Sequence, residues 1–496
     1  MAIAPPAHAA LAGERSAPFG VLLRHELRLM LADRHLLWLA LALLLACGYA
    51  LANGAAWFAR QDAAVAAARA DEVQRIDKLR ADLAAVEAGA LKPQGAFYDP
   101  RSALWVGLRH GATVAAIARE PLALVSFGQS DLNPPYVKVS TDNADSFLFA
   151  EEIENPAHLL NGSFDLAFVV VFLAPLLALA LAHDLLTGEK EQGTLKLLLA
   201  QPIRLRRLLA AKLGLRFALL YGALLAAGAA ALALGDGFDA MHGALALGGW
   251  ALLLAAYLAF WFALAAWVDL RGRSAASNAL VLAGAWIALA LLLPTLLGLA
   301  IQVLHPVPSR AEMVERLRAS QIAVHRDAEA TLARFHAEHP EMDPAGIAPD
   351  SDHARGVRRV ALQAAAAANV QAEIARYDAR LAAQQALVDR LRFVSPAVVM
   401  QQALNDLAGT GTARYRAFND EVARFHARWQ AWFRPKVLAN RPLAAADYAA
   451  LPRFEPARLA PGAVVAAVVA AAVGLLLPTL ALLFAAARRL RRYVPV

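Results

Sequence analysis

The chain has 496 residues, of which 59% are hydrophobic and only 18% charged, and its mean hydropathy is +0.45. That composition is too apolar for a soluble protein of this length and predicts a polytopic membrane protein. The formal charge of +7 does not point to nucleic acid, because the basic residues concentrate beside apolar spans, and the single cysteine, Cys47, excludes intramolecular disulfides and cysteine-rich metal sites.

An Ala/Pro-rich stretch, 1–17, is expected to lack order. After it, Phe19, Leu22, Leu23, Leu27, Met30 and Leu31 recur at helical spacing opposite Arg24, Glu26 and Arg28. This is the pattern of an amphipathic helix at the membrane interface. Six segments are long and apolar enough to cross a bilayer: 36–54, 164–183, 213–235, 243–268, 276–304 and 461–487. The first is too long and begins too late for a cleaved signal peptide. The fifth would rise roughly 42 Å as one helix, against a hydrocarbon core of roughly 30 Å. It must tilt or break near Pro294, the break leaving 295–304 as an outer re-entrant segment.

Charge sets the orientation. Residues 1–35, 184–216, 269–274 and 488–496 together hold 17 Lys/Arg and 7 Asp/Glu, whereas the loop 236–242 carries Asp236 and Asp239 and no base. By the positive-inside rule both termini and the loop 184–212 are cytoplasmic, the tail 488–496 being basic. Two large extracytoplasmic insertions follow, 55–163 and 305–460. The first opens with a charged helix near 59–89 and continues with short Val-, Phe- and Tyr-containing runs between Gly, Pro and Asn, which suggest a few strands or an irregular lobe. In the second, Val314, Leu317, Val324, Leu332 and Phe335 and then Val370, Ile374, Tyr377, Leu381, Val388 and Leu391 keep helical periods across a polar, Pro-containing turn. A long helical hairpin is predicted, with an intermolecular coiled coil as the alternative. The fold class is thus mainly α, six-spanning, with two extracytoplasmic insertions.

No G-x-x-x-x-G-K-[ST] phosphate loop is present, so the chain is not expected to hydrolyse nucleotide itself. The span centres carry no Asp, Glu, Lys, Arg or His, which argues against ion-coupled transport; Asp165, His183, Asp184 and Asp269 fall at span ends, where a charge costs little. His336 and His339 lack an H-E-x-x-H context and read as solvated rather than metal-binding. No G-x-S-x-G elbow appears, and no catalytic residue is assigned. Pro175, Pro294 and Pro478 lie inside spans, where a missing N–H can make a joint.

Between the second and third spans, the charged Glu189-Lys190-Glu191 ends at Gly193-Thr194, where a helix can begin with Thr194 as its cap; Leu195, Leu197, Leu198 and Leu199 form an apolar face, and Pro202 stops it. The order Glu189-Lys190-Glu191-Gln192-Gly193-Thr194-Leu195, then Leu198-Leu199 and Pro202, closely resembles the cytoplasmic loop of ABC-2 type transporter permeases. The stretches His305–Arg310 and Val394–Val422 resemble the DUF3526-containing subfamily of these permeases. The resemblance implies a type V, ABCG-like permease of the bacterial inner membrane, dimeric with itself or a related permease, and paired with separate ABC ATPase subunits. Those subunits would hold ATP and Mg, with no cofactor in this chain. It further implies that Glu189, Lys190, Glu191, Gly193, Thr194, Leu195, Leu198 and Pro202 form the ATPase-coupling helix. Phe19–Arg34, bearing Arg24, Glu26 and Arg28, would be the connecting helix. The substrate path would be lined by Phe168, Phe172, Pro175, Leu293, Pro294 and Thr295 of the second and fifth spans. Insertions this large suggest a periplasmic partner, so the alternative function is passage of ATP-driven motion to that partner without a transported substrate.

Overall fold

The computed structural model describes residues 19–32, 34–142, 164–201, 204–235, 240–271 and 274–306, single positions between 312 and 326, and residues 328–338, 340, 348 and 351–492. The stretches 1–17 and 307–310, Asp236, Asp239, Val314, Leu317, Val324, His339 and Pro202 lie outside the described residues, as do the side chains of Leu199, Phe335 and Val370. Among the described residues, six helices are long and apolar enough to cross a membrane: Arg34–Glu87, Leu166–Glu191, Leu205–Leu234, Ala240–Asp269, Ala275–Leu304 and Pro461–Arg491. The protein is a mainly α, multi-pass membrane protein. The fourth span is the hub, with 72% of its apolar window buried, against 11% for the first and the fifth, which lie at the periphery of the bundle.

Helix α1 (Phe19–Ala32) precedes the first span and turns Leu22, Glu26 and Met30 inward, leaving Arg24 and Arg28 exposed. The first span is one continuous helix of 54 residues, roughly 80 Å long at 1.5 Å per residue. Residues 55–87 therefore extend the membrane helix instead of starting the separate charged helix expected near 59–89. Gly54 makes this possible: a Cβ there would stand 2.8 Å from the Leu124 carbonyl oxygen, so glycine alone lets the lobe backbone approach the helix.

The sequence suggests two outer insertions, yet the structure gives them a shared core. Strands β1 (Thr113–Ala116) and β2 (Tyr136–Val139) pair antiparallel, and Ala115, Val137 and Val139 pack with Phe418, Val422, Phe425, Trp429 and Phe433 of the helix Thr412–Leu438. Leu83 at the far end of the first span joins them. Trp429 Nε1 donates to the Gly107 carbonyl at 3.3 Å and Tyr448 Oη to that of Pro100 at 2.6 Å, closing the same core from distant parts of the chain. The hairpin is intramolecular: Leu332 of Ala328–Glu338 packs on Ala361, and Met313 packs on Ile374 and Tyr377 of Asp352–Leu391.

The helix Pro396–Ala408 carries an apolar face, including Val399, Met400, Ala403 and Leu404, that belongs to the membrane-bundle core. It wedges between the lobe and the spans. The fifth span does not leave the bundle as a re-entrant segment. It stays helical through Pro294, with a π turn at Ile287–Leu292 directly before the proline. The second span has the same device, a π turn at Val169–Leu173 before Pro175. A π turn widens the ring at the point where proline clashes with the preceding turn and cannot donate.

Candidate functional site

The loop after the second span folds as two short helices, α2 (Thr187–Glu191) and α3 (Thr194–Ala200). Gly193 joins them at φ 75°, ψ 0°, a left-handed conformation that glycine adopts without a Cβ penalty. The cap position of α3 is Gly193, not Thr194. The Thr194 hydroxyl is used instead on Glu189, donating to its carboxylate and lying 3.1 Å from its carbonyl oxygen. Leu195 is buried and Leu198 packs against the bundle core, while Lys190, Glu191, Gln192, Gly193, Lys196 and Leu197 are exposed.

Beneath this loop lie two buried polar clusters. In the first, Lys212 of the third span places Nζ 2.7 Å from Glu189 Oε1 and 3.7 Å from Glu26 Oε1 of α1. Glu26 and Lys212 are 4% and 5% exposed, so the cation is withdrawn from water and depends on these partners. In the second, Asp269 at the end of the fourth span is fully buried. Its carboxylate accepts from Leu186 N at 2.9 Å, Thr187 N at 3.3 Å, Thr187 Oγ1 at 2.7 Å and Asn278 Nδ2 at 3.2 Å. It satisfies the donors that the start of α2 leaves open. Asn278, on the fifth span, also lies 3.2 Å from the His183 carbonyl. On the surface, Glu191 Oε1 accepts from Ala275 N at 2.8 Å, at the first turn of the fifth span. One five-residue helix is thereby tied to α1 and to the third, fourth and fifth spans.

Of the residues singled out in the sequence, Glu26, Glu189, Glu191, Thr194, Leu195 and Leu198 converge on this junction, whereas Arg24 and Arg28 do not. The path candidates converge only in part. The Phe168 and Phe172 rings stand 5.1 Å apart, Pro175 is buried, and Trp286 Nε1 donates to the Phe172 carbonyl at 3.2 Å, joining the second and fifth spans. Leu293 and Pro294 are half-buried, but Thr295 is exposed and its hydroxyl returns to the Leu291 carbonyl at 2.8 Å. Leu292, Leu296, Leu299 and Val303 form an exposed apolar stripe on the same span.

Lys212, Asp269 and Asn278 are the residues missed by sequence reasoning. Lys212 reads as one more membrane-anchoring base, and Asp269 as a span-end charge exposed to water. Their partners lie in other segments of the chain, and no local spacing announces them.

A family model described as "Domain of unknown function (DUF3526)" matches residues 310–457. A comparison with curated proteins gives no match. Fold and domain match together define a mainly helical, multi-pass membrane protein carrying a DUF3526 domain.

Proposed function

We propose that this chain is the permease subunit of an ATP-driven ABC exporter of the ABC-2, type V kind. It would sit in a bacterial inner membrane with the loop end and both termini cytoplasmic, dimeric with itself or a related permease. The observation that carries the reading is the construction of α2 and α3. Glu189, Thr187 and Glu191 bond them to the third, fourth and fifth spans, and Lys212 links Glu189 onward to α1, while Lys190, Gln192, Lys196 and Leu197 face outward uncovered. A helix held this way moves with the spans when something pushes it. In this reading the pushing body is a separate ATPase that binds ATP and Mg, and the substrate passes between two permeases along the second and fifth spans. The DUF3526 match agrees with this, since that domain occurs in ABC-2 type permease-like proteins.

The test is co-purification with the candidate ATPase. Lys190→Glu with Leu197→Arg alters only exposed side chains and is expected to abolish both ATPase capture and stimulation without changing elution of the permease. Retention of a fully stimulated ATPase would remove the coupling assignment.

A second reading, transmission of motion to a periplasmic partner, is favoured by one observation. Ser395, at the head of the helix that wedges the lobe into the bundle, donates to the Leu289 carbonyl in the fifth-span π turn at 2.8 Å. ATP-dependent lobe movement with no accumulation of any substrate in sealed vesicles would select it over export.

A further inference from the structure

We propose that the groove between α1 and the first and third spans is a binding site for one anionic phospholipid, with an acyl chain in the groove and the headgroup phosphate at Arg216. The proposal needs only the insertion of the spans in a bilayer and is independent of the transport reading.

The groove has a volume of about 620 Å³ and an almost wholly apolar lining, within the roughly 300–1,000 Å³ of ordinary ligand sites. Leu27 and Met30 of α1 close one end, Cys47 and Gly48 of the first span form one wall, and Leu220 and Ala223 of the third span form the other. Along the first span the lining runs from Leu36 to Leu51, roughly 22 Å of helix. That is long enough to hold an acyl chain through one leaflet's roughly 15 Å of hydrocarbon, and longer than a compact solute needs. Among the described residues nothing fills the space at Gly48, where a Cβ would meet no atom within 4 Å.

The chemistry changes at one end. On the third span the groove-lining residues Leu219, Leu220, Ala223 and Ala227 follow helical spacing, and one turn before them on the same face stands Arg216. Arg216 is half-buried, so the residue stays open to an outside ligand, while its Nη1 is covered and has no acceptor among the described residues. A guanidinium so short of partners suits a phosphate, which can accept from the donors that remain open. Exposed Arg24 and Arg28 on α1 and Arg34 at the head of the first span extend the positive rim. Basic pockets between membrane helices recognise anionic headgroups in this manner. A second copy of the chain is a poorer occupant, because an isologous contact across this face would bring the same basic rims together.

The test uses the full chain in nanodiscs with phosphatidylglycerol or phosphatidylcholine carrying a photoreactive group near the acyl terminus, followed by mapping of labelled peptides. Labelling is expected at 43–48 and 219–227, and Ala223→Trp, which fills the groove from an exposed position, should abolish it while leaving fifth-span labelling unchanged. Gly48→Leu, at the open position, should do the same, which guards against a single misfolded variant. Arg216→Gln should remove an advantage of phosphatidylglycerol over phosphatidylcholine of about fivefold, the contribution of one arginine to an anionic headgroup. Labelling spread evenly over all exposed spans and insensitive to Ala223→Trp would mean bulk lipid only and overturn the site. Unlabelled groove peptides with both probes would assign the groove to another occupant, a second copy or residues 1–18, and overturn it equally.

Discussion

Each end of the second span is held by a buried aspartate, Asp165 at its start and Asp269 of the fourth span at its other end, and the two are held differently. At the lobe end, Asp165 accepts from two backbone donors, Phe127 N at 2.9 Å and Phe168 N at 2.7 Å, as a helix cap does. At the loop end, Asp269 gathers donors from the second and fifth spans, and one turn further the Glu26–Lys212–Glu189 cluster buries a cation between two carboxylates. The lobe end is thus fastened by one carboxylate on uncharged donors, whereas the loop end adds a cation buried between two carboxylates, a set that must be all present or all absent. A junction of the second kind gives way only as a whole.

The largest effect should follow from breaking the loop end at its cation. Lys212→Met leaves Glu189 and Glu26 facing one another without a cation, and a loss of about 3–5 kcal/mol is expected, read as a fall in the thermal midpoint in detergent. Replacing the whole cluster, Lys212→Met with Glu26→Leu and Glu189→Met, should recover most of it, because no unpaired charge then remains. A single variant as stable as the parent would mean that the buried pair is not formed.

The two aspartates give the direct contrast. Asp269→Ala orphans two backbone N–H groups and a hydroxyl and should cost about 3 kcal/mol or more. Asp165→Ala removes a cap and should cost about 1–2 kcal/mol. Equal losses by the same thermal measurement would erase the distinction between the two ends.

Asp406 lies at the end of the wedge helix, where burial pushes its carboxyl from 3.8 up to about 6, with Arg392 offsetting part of this. The folded protein therefore holds an extra proton between these values, and its contribution to stability is present below about pH 4 and lost as pH rises through about 6. Asp406→Asn should stabilise the protein above pH 6 by at most about 3 kcal/mol, read as a higher thermal midpoint, and flatten the pH dependence between about 4 and 6. An unchanged slope between pH 4 and 7 would place the proton elsewhere.

The spans were legible because a bilayer demands long apolar segments of anything that crosses it. Hairpin periodicity was legible for a similar reason, since Leu332 and Ile374 must find an apolar face. The first helix was not, because Asn53-Gly54 reads as a stop signal, while in the fold Asn53 Nδ2 bonds the Phe164 carbonyl at 3.0 Å and Gly54 receives the Leu124 carbonyl. The shared lobe core was equally hidden, since Trp429 meets Gly107 across more than half the chain. In the candidate site, Glu189, Thr194 and Leu195 stood out through a local pattern. Lys212, Asp269 and Asn278 did not, because their role exists only once four separate helices meet.

The smallest expected effect concerns the joint between lobe and membrane. In the fifth-span π turn the Leu293 amide bonds two residues out of step with an ordinary 3₁₀ turn, reaching the Ala288 carbonyl, so the next amide in that register, at residue 294, would bond Leu289. Proline has no N–H to give. Ser395 supplies the missing donor from the wedge helix and also caps that helix through Val398 N at 3.4 Å. Ser395→Ala should therefore cost about 1–2 kcal/mol, the sum of one hydrogen bond and a weak cap, and Ser395→Thr should recover it. Its effect on motion should exceed its effect on stability. Hydrogen exchange at Ile287–Leu292 is expected to rise in Ser395→Ala while exchange in the Val169–Leu173 turn, whose Val171 carbonyl is held by Tyr257 at 2.7 Å, stays unchanged. Parallel increases in both turns would mean that the bundle loosens as a whole and that the lobe does not hold the fifth span in particular.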